Sequence, residues 1–179
     1  MASVTVAVTE TVDIAELSRV YRDVHAADLH LVDHSEPTVE ERLAWTVEAP
    51  GFAATVAHVD GKLAGAVMGC PLPPDTLWWR DLADVDPAVT RERTGRTFAI
   101  CEAFVLPEHR RRRLGVPLFL DLLAGRPEDR VTMAVAEANT RVWRALGALG
   151  FAHVGDVLPF PGWRPHRMLV CPLPLASRR

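Results

Sequence analysis

Between Thr97 and Ala124 the chain passes from one apolar run, through a proline and four consecutive arginines, into a second apolar run of different period. Thr97 to Leu106 reads as a buried strand interrupted by a single charge, Glu102, and Leu114 to Ala124 reads as a helix stopped by Gly125 and Pro127. Pro117 fits only a helix's first turn, where its missing N–H costs no hydrogen bond, so the helix begins near Arg113 to Val116. His109 and Arg110 to Arg113 therefore occupy the turn that feeds a helix N-terminus. Such a terminus carries unpaired N–H groups and partial positive charge, and with four guanidinium groups beside it the segment predicts a phosphate or pyrophosphate site. A solvated basic turn is the plain alternative, favoured when an arginine run lies in a tail rather than between two apolar elements.

The remaining segments complete an α/β pattern. Val4, Val6 and Val8 alternate with polar residues from Ser3 to Thr9, as a half-buried strand does. Asp13 predicts a helix N-cap with Glu16 closing a capping box, followed by Ile14, Leu17, Tyr21 and Val24 at helical spacing. His25 to Pro37, rich in His and Asp, reads as a broken helix or loop, and Thr38 to Val47 as a second helix ended by Pro50-Gly51. Phe52 to Val59 and Lys62 to Cys70 flank Asp60-Gly61 and predict a hairpin with a two-residue turn. Pro71 to Gly95 breaks the pattern and reads as a long connection with room for a short helix; loops of that length usually carry function. Arg130 to Ala136 is a strand, Thr140 to Leu149 a helix, and Phe151 to Leu158 and Arg167 to Cys171 are closing strands. With no repeat or linker, residues 1–179 read as a single domain.

Composition narrows the function classes. An apolar fraction of 49% with a net charge of −3 excludes a disordered chain. No apolar run is long enough to span a bilayer, and Met1 to Glu10 lacks the pattern of a signal peptide. Three cysteines, Cys70, Cys101 and Cys171, without a CxxC pair argue against a disulfide framework or zinc ribbon, so a cytoplasmic protein with reduced thiols is expected. The basic residues are one lysine, Lys62, and 19 arginines, with the one dense knot at 110–113; a nucleic-acid partner ranks last, because no basic stripe extends from it.

The motif residues around that knot resemble a known family. Val105-Leu106-Pro107-Glu108-His109-Arg110-Arg111-Arg112-Arg113-Leu114-Gly115, followed by Asn139-Thr140-Arg141-Val142 and Leu149-Gly150-Phe151, is similar to the signature of the GCN5-related N-acetyltransferases (GNAT), and the element order matches over nearly the whole chain. The resemblance implies the GNAT fold: one mixed sheet of about six or seven strands, splayed at its centre and flanked by about four helices. It implies acetyl-CoA, or another acyl-CoA, as co-substrate and no metal. Backbone groups from Arg110, Arg111, Arg112, Arg113, Leu114, Gly115 and Val116 would hold the pyrophosphate, and Phe104 and Val105 would pair with the pantetheine arm as an added strand does. Asn139 would contact the pantetheine or an ordered water. The family is often dimeric. Two positions depart from the pattern: Arg113 stands where the family has a motif glycine, and Leu146 where it often has the tyrosine that protonates the departing thiolate.

Glu102 is the candidate base, the one charge between Phe98 and Leu106, where an apolar cleft would raise its pKa toward the range useful for accepting an amine's proton. Its plain alternative is a salt bridge to an arginine such as Arg96. Asn139 is the second catalytic candidate. His25, Asp28, His30 and Trp79 are assigned to the acceptor pocket, because the family places acceptor specificity between its first two helices. Trp78 and Trp163 read as ordinary packing and the cysteines as small buried hydrophobes. A metal reading of His30 and His34, four residues apart, is set aside, with Asp28 and Asp33 taken to face solvent or the acceptor. The expected activity is acyl transfer to the amine of a small molecule by direct attack. The alternative is a GNAT-fold protein that binds CoA without classical acetyl transfer, as a non-catalytic module or in other acyl-CoA chemistry.

Overall fold

The computed structural model describes residues 3–82, 84–112 and 114–175, with the Arg111 side chain also outside the described part. The predicted hairpin is its clearest local element. β2 (Ala53–Val59) and β3 (Lys62–Pro71) pair antiparallel across Asp60 and Gly61. Both turn residues have positive φ, 50° and 76°, which the primed turn demands and which aspartate and glycine tolerate. β1 (Val4–Thr9) adds antiparallel to β2, with Val4 opposite Val59 and Thr9 opposite Ala54. The strand order is β1-β2-β3-β4-β5-β7-β6 in one mixed seven-stranded sheet, where β4 is Thr97–Val105, β5 Arg130–Ala136, β6 Ala152–Val157 and β7 His166–Pro172.

Two compact units divide the chain, the first comprising Met1–Cys70 and Ile100–Ala124. In it α1 (Ile14–Val24) packs against α3 (Val39–Glu48), and together they bury Leu17, Val20, Tyr21, Val39 and Leu43 against Ala54, Ala66, Met68 and Phe104 of the strands. Asp13 caps α1 by accepting from the Ala15 and Glu16 N–H groups. The expected reciprocal bond from Glu16 does not form there; its carboxylate lies 3.6 Å from Arg19 instead. The capping box sits on α3, where Thr38 and Glu41 satisfy one another's backbone N–H. α5 (Gly115–Leu123) packs on β1 and β2 through its buried Leu118, Phe119, Leu122 and Leu123. β3 and β4 approach closely at Gly65: a Cβ there would lie 2.8 Å from the Phe104 carbonyl oxygen and 2.9 Å from Val105 Cγ2.

The second unit comprises Pro71–Ala99 and Gly125–Arg179. Its β5 is flanked by β7, antiparallel along the whole strand, and β7 by β6. The parallel ladder from β4 to β5 covers only Thr97 to Ala99 against Arg130 to Thr132, short for strands of nine and seven residues. The long connection contains α4 (Pro87–Thr90), capped by Asp86. A buried network ties it down: Glu92 Oε1 accepts from Trp79 Nε1 at 2.9 Å, Thr97 Oγ1 at 2.7 Å and Arg130 at 2.6 Å. Arg130 also donates to Thr97 Oγ1 at 2.7 Å and lies over the Trp79 ring. α6 (Thr140–Gly147) follows Asn139 and buries Leu146.

Of two loops, the first departs from the sequence expectation and the second, a broken helix, agrees with it. The arginine knot is wound into a 3-10 helix, Pro107–Arg112, rather than an open turn. His25 to Pro37 contains a succession of turns and a four-residue helix, α2 (Val32–Ser35).

Candidate active site

Glu102 enters the site from the middle of β4 and meets a partner the strand alone does not disclose. Arg42, on the buried face of α3, donates from Nε to Glu102 Oε1 at 2.9 Å, and the two side chains are 7% and 14% exposed. Arg42 is also held by the Pro37 carbonyl oxygen at 2.7 Å. The ion pair is therefore with Arg42, and not with the Arg96 of the sequence expectation, whose guanidinium reaches the Ala88 carbonyl at 2.8 Å. Burial pushes the Glu102 carboxyl above its ordinary value, with the Arg42 charge opposing. Arg42 stays firmly protonated: burial works against its charge, and Glu102 outweighs it.

Arg42 extends the pair. Its guanidinium lies over the Tyr21 ring, 5.2 Å from the centroid, and its charge acts on the Tyr21 hydroxyl. The Tyr21 hydroxyl is 2.7 Å from His34 Nδ1, and the His34 ring stacks on His25 at 4.3 Å. Burial, with the Glu102 charge behind it, drives the Tyr21 pKa up, so Tyr21 keeps its proton. Neutral Tyr21 has a proton to donate to His34 Nδ1. His25 is pushed down to about 4 by burial and by neighbouring His34, which leaves its ring neutral at physiological pH. The edge of Phe104 meets Tyr21 at 5.8 Å, so the Phe104 side chain belongs to the core and only its backbone could serve a cofactor. Glu102, Arg42, Tyr21, His34 and His25 form one continuous polar chain on the apolar floor of α1, α3 and β4.

The chain's two central members were not singled out by sequence reasoning. Tyr21 reads as a core residue, and Arg42 carries no motif. A signal existed: Arg42 falls on the stripe of Val39, Leu43 and Thr46 that α3 buries, and a buried arginine requires an anion. His25 and Asp28 join the cluster, whereas His30 is exposed outside it. Asp33, expected toward solvent or acceptor, is instead 5% exposed in the first turn of α2, where its charge acts on Tyr21. Trp79 is buried in the second unit with its indole N–H committed to Glu92. Asn139 is exposed at the N-cap of α6, with no side-chain cap bond, and Leu146 is buried on that helix.

The anion site expected at α5 has a definite local geometry. Within the 3-10 helix the amides point to carbonyls three residues back, which leaves the guanidinium groups rather than those N–H groups for an anion. Arg110 and Arg112 are exposed, and Arg110 Nε rests on the Val105 carbonyl oxygen at 3.2 Å. Arg113 lies outside the described residues. α5 has Leu114 at its N-cap with no side-chain cap bond, and the first intrahelical bond runs from Leu118 N–H to Leu114 O at 3.2 Å. Gly115 and Val116 thus present amides that the helix does not use. Space beside them is open: a Cβ at Gly115 would meet nothing nearer than Val105 Cγ2 at 4.0 Å.

No helix among the described residues is long and apolar enough to cross a membrane. No curated protein is significantly similar to the chain in sequence. Solved structures share its fold. The Escherichia coli ribosomal-protein-S18-alanine N-acetyltransferase is 16% identical with a TM-score of 0.67, the match covering 99% of this chain and 98% of that one. Ard1 from Thermoplasma volcanium is 16% identical with a TM-score of 0.61 over 93% and 97% of the two chains. A probable acetyltransferase from Staphylococcus epidermidis is 10% identical with a TM-score of 0.66 over 96% and 99%. Residues 16–151, which take in the Glu102 chain and the α5 terminus, match the acetyltransferase (GNAT) family. The chain belongs to the GNAT acetyltransferase family.

Proposed function

We propose that this protein transfers an acyl group from acyl-CoA to the amine of a small molecule by direct attack, without a covalent enzyme intermediate. The observation that carries the reading is Glu102: a carboxylate held at 2.9 Å by Arg42 and raised in pKa by burial, in a family whose co-substrate is acetyl-CoA. When bound, acyl-CoA supplies an activated thioester. The open space and uncapped amides at Gly115 and Val116, with the exposed Arg110 and Arg112, fit a diphosphate. We assign Arg111, Arg113 and Leu114 to the same loop, Phe104 and Val105 to backbone contact with the pantetheine, and Asn139 to the cofactor as well.

Glu102 then accepts the proton of the acceptor ammonium, directly or through water, so that the neutral amine attacks the carbonyl carbon. As the N–C bond forms and the C–S bond breaks, the nitrogen would give up its second proton, through water, to the departing CoA thiolate, Leu146 offering no acid. Arg42 keeps the Glu102 carboxylate in one orientation, and Tyr21 keeps Arg42 and His34 in theirs. His25 and Asp28 are assigned to the acceptor side. The reading places the reaction in the cytoplasm, where Cys70, Cys101 and Cys171 remain reduced.

One observation favours a second reading, a CoA-binding module without turnover: the tyrosine position holds buried Leu146. Calorimetric titration with acetyl-CoA, followed by a thiol-release screen over small amines and peptide N-termini, separates the two. Saturable binding with amine-dependent thiol release supports the transferase. Binding without release from any acceptor supports the module, and no binding at all overturns both.

A further inference from the structure

One side-chain cluster in the first unit has a donor set that acyl transfer does not require. His25, Asp28 and His34 each bring one ligand atom to within 4.8 Å of the other two. The backbone explains their convergence. Asp28 N–H bonds to His25 O at 2.8 Å, Leu31 N–H to Asp28 O at 2.9 Å and His34 N–H to Leu31 O at 3.0 Å. Three successive turns, each closed by its own bond, bring residues spaced by multiples of three together and stack the two imidazoles at an interplanar angle of 30°. His30, off that spacing, is left exposed.

We propose that His25, Asp28 and His34 bind a divalent transition metal of the zinc class. Two imidazole nitrogens and one carboxylate oxygen suit zinc, cobalt or nickel, whereas calcium and magnesium favour all-oxygen sites. Three protein ligands leave a coordination position open. Tyr21 is the outer-shell partner: its hydroxyl lies 2.7 Å from His34 Nδ1, so a metal would be taken by the ring's other nitrogen, Nε2. Metal binding would reverse that bond, setting the proton on Nδ1 for the Tyr21 oxygen to accept, the arrangement that fixes a histidine ligand's tautomer. Asp28 supplies negative charge to the trio and Arg42 is neutralised by Glu102. Arg110, whose charge acts on His25, works against the cation.

The test uses the full chain after chelator treatment, titrated with Zn²⁺ in competition with a chromophoric chelator and with Co²⁺ followed by visible absorption. The expected result is one saturable equivalent, weakened about tenfold or more by His34→Gln and by Asp28→Asn, and about tenfold by Tyr21→Phe, in keeping with the usual effect of an outer-shell partner. His30→Ala should leave affinity unchanged, and Arg110→Gln should raise it. Asp28 is exposed, so its variant retains the fold; circular dichroism checks the others. Absence of saturable binding overturns the proposal. So does affinity indifferent to Asp28→Asn and His34→Gln, or a Co²⁺ spectrum with thiolate charge-transfer bands that Cys101→Ser abolishes.

Discussion

Arg130 meets Glu92 at 2.6 Å and Arg42 meets Glu102 at 2.9 Å, and none of the four side chains is more than 14% exposed. Their surroundings differ. Glu92 Oε1 collects Trp79, Thr97 and Arg130, and the Thr97 hydroxyl joins the two ends, so that network closes on itself in the core of the second unit. The Arg42 pair does not close: it runs on through Tyr21 and His34 to His25 and then to exposed Asp28. A closed network, with three donors converging on one buried oxygen, stabilises one geometry. An open one connects a buried carboxylate to groups that a substrate or ion can reach.

The largest test of this contrast is Arg130→Ala, which leaves Glu92 buried without its counter-ion. Denaturant unfolding should show a loss of about 3–5 kcal/mol, while activity per folded molecule is retained. A loss below about 1 kcal/mol would mean that the closed network contributes little. Glu102→Gln should act the other way, lowering kcat/KM by about a hundredfold or more, the usual scale of a general base. The pH profile sharpens it. Glu102 must be ionised to accept a proton, and burial raises its pKa, so wild-type activity should fall on the acid side at a pH above the ordinary carboxylate range. The Gln variant should lack that limb; an unchanged limb would assign it to another group.

Gly115→Asp is expected to be smaller in effect. Open space beside Gly115 accepts the side chain, but its charge opposes a diphosphate at the helix start, and acetyl-CoA affinity should drop about tenfold. Unaltered affinity would move the phosphate site elsewhere. Tyr21→Phe is the mildest in stability, about 1 kcal/mol for one hydrogen bond, measured by thermal melting. A loss several times larger would show that the Tyr21 hydroxyl holds the fold as Arg130 does.

Much of this architecture is legible in the sequence because it is local. Asp60-Gly61 between two β-rich runs specifies its own turn, and Pro117 fixes the first turn of α5. Glu102 stands out as a charge in an apolar strand. What is not legible depends on residues far apart in the chain. Arg42 and Glu102 are separated by 60 positions, and nothing in either segment names the other. Tyr21 shows an apolar period and is indeed buried, so its hydroxyl's partner 13 residues on is invisible until the turns between them are traced. The 3-10 winding of Pro107–Arg112 is likewise hidden, since a run of arginines has no periodicity to read.

Gly65 carries a consequence for how such a chain can vary. Even alanine there would drive a methyl group into the Phe104 carbonyl and the Val105 side chain, backbone and branched carbon that cannot swing aside. The strand bearing Glu102 is thus anchored from behind by the absence of an atom. Sequence drift at position 65 is closed off although the residue touches no substrate. A library that randomises Gly65 should return glycine among active clones, while the open positions at Gly61 and Gly115 differ in kind: one is restricted by its backbone angle, whereas beside the other only Val105 Cγ2, at 4.0 Å, comes near.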